Sequence, residues 1–152
     1  MFPIKTVLAL LILATGSLSA SDAALQRRLS PEEIDRLASS SGGAGTSGLP
    51  AVTTTVLYGD PAKAGLYSIQ LRVAPDTVIQ AHTHKDARTA TVVSGTWYFG
   101  YGKKSVPEAV RKLPAGSFYT EPAGDPHFAR TGSDGAVLLI TGYGPTDTKY
   151  LK

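Results

Sequence analysis

Apolar and polar positions along this chain change period twice. Thr6 to Thr15 is an unbroken apolar run (TVLALLILAT), preceded by Lys5 and followed by small residues at Gly16-Ser17-Leu18-Ser19-Ala20 and Ser21-Asp22-Ala23. A short positive segment, a short apolar core and small residues at a cleavage point make an export signal, and the run is too short for a comfortable membrane span. Cleavage is expected after Ser19, Ala20 or Ala23. Ser30-Pro31-Glu32-Glu33 then reads as a helix start: Ser30 caps, Pro31 suits the first turn and Glu33 completes a capping box. The helix is expected to reach about Leu37 and to bury Ile34 and Leu37. Ser39 to Gly48 (SSSGGAGTSG) offers no apolar face and reads as a flexible linker.

From Leu49 onward the period becomes two. Val52 to Leu57 is rich in β-branched residues, and in Tyr67 to Val73 the apolar Tyr67, Ile69, Leu71 and Val73 alternate with Ser68, Gln70 and Arg72. Thr77 to His84 is extended. Thr89 to Val93, Ser94-Gly95 and Thr96 to Tyr101 read as strand, turn, strand, and Leu113-Pro114-Ala115-Gly116 as a further turn. Ser117 to Glu121, His127 to Arg130 and Ala136 to Tyr143 complete the series. Many short strands with regular turns and almost no helix predict an all-β sandwich or barrel over residues 49–152, after a signal peptide (1–23) and a helix-plus-linker segment (24–48).

The 152 residues suffice for one domain with a real core. The absence of cysteine excludes disulfides and cysteine-type zinc sites, and with no cysteine after the apolar run there is no lipoprotein anchor. The formal charge of +3 is scattered over pairs such as Arg27-Arg28, Lys103-Lys104 and Arg111-Lys112. No basic helix or basic–aromatic stripe of a nucleic-acid binder is present. There is neither a phosphate-cradling glycine loop nor a nucleophile elbow.

The chemistry concentrates in the histidines, of which the chain has three. His82 and His84 are two apart, so on a strand they face the same way, and His127 must join them from another strand. Three converging imidazoles are the core of many transition-metal sites. The segment His82-Thr83-His84, three residues, Arg88, six residues, Gly95 resembles the first cupin motif. Gly116, five residues, Pro122, one residue, Gly124, two residues, His127 resembles the second, with Thr131 at its usual Asn position. The resemblance implies a double-stranded β-barrel (jelly roll) that holds one divalent ion, Fe, Mn, Zn, Ni or Cu, on His82, His84 and His127. The metal-ligating Glu of the first motif is here Arg88, which stays protonated and cannot ligate. The set is then three neutral histidines, as in cupin thiol dioxygenases and a diketone-cleaving cupin, with coordination positions left open.

Arg88 leaves two readings. A guanidinium ~6 Å from a divalent ion is repelled by about 5 kcal/mol at an effective dielectric of 20, so it calls for an anion. Either it anchors an anionic substrate by a bidentate grip, or it pairs with Asp86 or Glu121. Strict alternation puts Asp86 on the histidine face, and Asp86 and Glu121 are both alternative ligands. Trp97, Tyr98, Phe99 and Tyr101 read as alternating barrel lining and surface, and Tyr119 is a candidate proton donor. Two function classes follow. One is an exported metalloenzyme, dioxygenase-like or lyase/isomerase-like, acting on a small anionic organic molecule; the other is a non-catalytic module that binds a metal or small ligand. The expected location is periplasmic or extracellular. A homodimer through an edge strand is the expected assembly, on fold analogy.

Overall fold

The computed structural model describes residues 26–152; the expected export signal lies outside the described residues. After a five-residue helix α1 (Pro31–Asp35) come nine strands: β1 (Ser39–Ser40), β2 (Val52–Tyr58), β3 (Gly65–Val73), β4 (Val78–Thr83), β5 (Arg88–Tyr101), β6 (Arg111–Pro114), β7 (Phe118–Glu121), β8 (His127–Gly144) and β9 (Lys149–Tyr150). No described helix is long and apolar enough to cross a membrane. The capping box of α1 forms as expected: the Glu33 amide donates to Ser30 Oγ and the Ser30 amide to the Glu33 carboxylate. The helix ends two residues early and buries nothing fully, and Ile34 and Leu37 are half-buried.

Two long antiparallel strands, β5 and β8, organise the barrel. The C-terminal half of β8 pairs with β3 and with the first half of β5, from Arg88↔Gly142 to Gly95↔Ala136. Its N-terminal half pairs with β4 and with the second half of β5, from Trp97↔Thr131 to Tyr101↔His127. One sheet therefore runs β1-β2-β3-β8-β5-β7 and the other β9-β4-β8-β5-β6, with β5 and β8 shared.

The bend between the sheets is where the expected turns fell. Ser94-Gly95 is not a hairpin turn but an irregularity inside continuous β5, with register shifts at Val92/Ser94 and Gly95/Trp97. Likewise the two short strands expected at 127–130 and 136–143 are one strand, bent near Gly135. Gly95 has φ +75°, and a Cβ there would lie 2.2 Å from the Gly135 carbonyl oxygen. Only glycine permits that approach, because it has no Cβ and tolerates positive φ.

The alternation read in β3 holds: Tyr67, Ile69, Leu71 and Val73 are buried. They join Val92, Trp97, Phe99, Ala129, Leu138 and Ile140 in one core. Burying such side chains contributes roughly 1.5–3 kcal/mol each and sets which face of each strand turns inward. Thr131 serves the fold by holding the turn that leads into β4: its hydroxyl accepts from the Thr77 amide (2.9 Å) and donates to the Ala74 carbonyl (2.7 Å).

The Gly/Ser stretch read as a linker is fastened to the barrel. Ser39 and Ser40 pair with β2. Gly45, Thr46 and Ser47 are buried across the barrel interior. Their carbonyls accept from barrel hydroxyls: Gly45 from Thr54 (3.3 Å), Thr46 from Thr148 (2.7 Å) and Ser47 from Tyr150 (2.9 Å).

Candidate metal centre

Burial alternates without a break through His82, His84, Asp86 and Arg88, which are buried, and Lys85, Ala87 and Thr89, which are exposed. His82 is on β4, directly across from His127 on β8 in the strand register. His84 follows the end of β4, and Arg88 opens β5. The three imidazoles converge: ring centroids are 4.4 Å apart for His82–His127, 4.9 Å for His82–His84 and 5.1 Å for His84–His127. One ring nitrogen from each lies within 4.8 Å of the other two.

Each ring is oriented through its other nitrogen. Nδ1 of His82 meets the Gln80 carbonyl (2.7 Å), Nδ1 of His127 meets the Asp125 carbonyl (3.0 Å), and Nδ1 of His84 meets the Asp147 carbonyl. A carbonyl only accepts, so each Nδ1 carries the proton. In a neutral ring Nε2 is then the bare lone pair, which is how metal-binding histidines are set up. The rings are held neutral. Burial pulls His82 down to about 4, with a contribution from His127. Burial and then the Arg88 charge pull His84 down to about 3. Burial also lowers His127. Nε2 of His127 is fully buried and has no hydrogen-bond partner.

These features fit a bound transition-metal ion. To share one ion the three nitrogens would have to draw in by about 1 Å each. One further adjustment is required: Arg88 Nη2 donates to Nε2 of His84, and that lone pair can serve the guanidinium or an ion but not both.

In the structure Arg88 is ion-paired with Glu121. Its Nε donates to Glu121 Oε2 (2.6 Å) and its Nη2 contacts the same oxygen, with both side chains about 95 % buried. Arg88 and Glu121 are direct register partners on β5 and β7. Burial alone would raise the Glu121 carboxyl, but the Arg88 charge, followed by His127 and His84, outweighs it and holds Glu121 at about 2. Arg88 Nη1 makes no hydrogen bond among the described residues. Asp86 is also buried, yet it accepts from the Tyr67 hydroxyl (2.7 Å) and does not line the histidine cavity. Gly142 makes room for that pair, since a Cβ there would sit 2.5 Å from the Tyr67 hydroxyl.

The aromatic run divides as its alternation implies. Trp97 and Phe99 face inward; Tyr98 lies under the Arg130 guanidinium (3.9 Å) and Tyr101 is exposed. Tyr119, from β7, joins Trp97 and Phe99 in the cavity wall. The Trp97 indole N–H and the Tyr119 hydroxyl are both buried without partners. The cavity they line is about 30 Å³ and partly open to the surface. The backbone of Gly45 to Ser47 forms part of its wall. Sequence reasoning missed these wall segments and the carbonyls of Gln80, Asp125 and Asp147, because backbone acceptors leave no mark in residue identity.

No protein-family model and no curated protein matches the chain in sequence. Solved structures do match it in shape. The polyketide cyclase RemF from Streptomyces resistomycificus superposes with TM-score 0.65 at 15 % identity, covering 84 % of this chain and 86 % of its own. An RmlC-like cupin from Shewanella frigidimarina gives 0.55 at 16 %, covering 72 % and 85 %. A Bacillus subtilis oxalate decarboxylase gives 0.54 at 16 %, covering 74 % of this chain but 28 % of that longer one. With a barrel built on two shared strands, and inward histidines from both motif positions, the chain has the cupin fold.

Proposed function

We propose that this chain is an exported metalloenzyme that binds one divalent ion on His82, His84 and His127 and acts on a small anionic organic molecule. The observation that carries the reading is the convergence of three buried imidazoles, each pinned through Nδ1 so that Nε2 points at a shared centre. When bound, the ion supplies Lewis-acid or oxygen-activating chemistry, dioxygenase-like or lyase/isomerase-like. Export rests on the leader-like first residues.

The charge count favours an anion. The histidines are neutral, and Arg88 and Glu121 cancel, so a dication remains uncompensated in a low-dielectric cavity. A carboxylate ~4 Å from it gains about 8 kcal/mol at an effective dielectric of 20 before desolvation. The anion-attracting charge is then chiefly the ion's. Arg88 acts as an anchor only through Nη1, since Nε and Nη2 are engaged. The Trp97 N–H and Tyr119 O–H are placed to donate to a ligand oxygen, and the narrow space excludes bulky substrates. The buried Gly45–Ser47 segment covers part of the cavity.

A Bacillus subtilis oxalate decarboxylase of the same fold has Mn(II) centres, which makes Mn(II) and short carboxylates sensible first probes. In titrations of the metal-loaded chain, acetate, pyruvate and oxalate should bind, while acetamide should not. Tyr119→Phe and Trp97→Phe should each weaken binding roughly tenfold, the worth of one buried hydrogen bond. Oxygen uptake or product formation with any of these acids would mark an enzyme. Tight binding without turnover would favour the module reading, and equal binding of acetamide and acetate would contradict the anionic-substrate reading.

A further inference from the structure

We infer that Glu121 is the fourth, anionic ligand of the metal centre, supplied from β7 rather than from the motif that carries His82 and His84. The inference rests on the three-histidine reading above and adds a ligand that the motif pattern does not assign. Among the described residues, Glu121 is the single carboxylate lining the histidine cavity. Its Oε2 lies 3.7 Å from Nε2 of His84 and 3.8 Å from Nε2 of His127. All these atoms are acceptors. The histidine protons are on Nδ1, committed to backbone carbonyls, so the Nε2 lone pairs face a carboxylate lone pair with no proton between them.

Buried acceptors turned toward one another are unfavourable unless a donor or a cation joins them. Arg88 meets this need in part, touching Glu121 Oε2 and His84 Nε2. It does not reach His127, whose Nε2 is buried and unpartnered. One cation among His82, His84, His127 and Glu121 satisfies all four at once.

The strand register explains how the carboxylate comes to be there. Arg88 and Glu121 are directly opposed on β5 and β7 with both side chains inward. A carboxylate on either strand of that pair reaches the same cavity, and the partner position then holds the opposite charge. On this account Arg88 is a positioning residue. Its Nε holds the carboxylate in place, while its Nη2 leaves His84 when the ion enters.

The test is Co(II) titration of the full-length chain, read by ligand-field absorption and by affinity against a competing chelator. Glu121→Gln leaves Arg88 buried without its partner and risks misfolding, so it is paired with the neutral double variant Arg88→Gln/Glu121→Gln. The exchanged variant Arg88→Glu/Glu121→Arg moves the carboxylate to the other strand. The expected result is one Co(II) bound by wild type and by the exchanged variant with affinities within a few-fold. The neutral double variant should lose at least about tenfold in affinity and show an altered Co(II) band. Wild-type affinity and spectrum in the neutral double variant would overturn the assignment and leave Glu121 as Arg88's partner alone. Failure of wild type to bind Co(II), or unchanged binding by His127→Ala, would overturn the three-histidine centre itself, and Glu121 with it.

Discussion

At the scale of single residues, each histidine is poised by one backbone carbonyl and by burial. That has a consequence for stability in acid. In the unfolded chain a histidine titrates near 6.5, while burial holds folded His82 at about 4 and His84 at about 3. Between those values the unfolded chain takes up protons that the folded chain refuses, so stability falls as pH drops from about 6.5 toward 4. Each pKa unit corresponds to about 1.4 kcal/mol, which bounds the His82 contribution near 3 kcal/mol. Glu121 acts in the same direction lower down: its contribution is complete above about 4.5 and is lost as pH falls toward 2. Urea midpoints measured in chelator should therefore drop between pH 7 and pH 5, and His82→Gln should flatten that slope. A midpoint independent of pH across this window would contradict the buried, neutral imidazoles. The convergence of the histidines was legible in the sequence because two-residue spacing on a strand fixes a shared face. The partner of Arg88 was not: Asp86 and Glu121 were both candidates until the register set Glu121 opposite Arg88 and Tyr67 took Asp86.

At the scale of elements, the fold departs from its sequence signals where glycine is involved. A glycine with positive φ serves a hairpin turn and a strand bulge equally well, so Gly95 and Gly135 did not reveal that β5 and β8 run on through them. Long-range pairing with each other and with β3 and β4 decided the matter. The Gly/Ser segment is the same case. Its one apolar side chain, Ala44, is exposed, yet its carbonyls are caught by Thr54 and by Thr148 and Tyr150, the last two about a hundred residues away. Thr148→Val with Tyr150→Phe removes two of these hydrogen bonds, worth about 0.5–1.5 kcal/mol each. Amide hydrogen exchange across residues 45–47 should quicken by roughly tenfold or more, and chelators should strip the metal faster. Unchanged exchange would mean the segment is held by packing alone.

At the scale of the whole molecule, strand periodicity and the motif spacing were enough to read a β-barrel from the sequence, and the superposition on cupins of 15–16 % identity agrees. That agreement covers the fold. The shape of the histidine cavity depends on how side chains from both sheets meet, which no local pattern encodes. The claim on which the rest depends is that the barrel holds one metal ion on three histidines. The direct measurement is metal content of the mature protein, purified from the exported fraction without chelator or nickel resin, beside His82→Ala and Arg88→Ala. Close to one divalent ion per chain is expected in wild type, with its loss in His82→Ala and its retention in Arg88→Ala. A wild-type protein that stays empty after reloading in turn with Fe, Mn, Zn, Ni and Cu would contradict that claim.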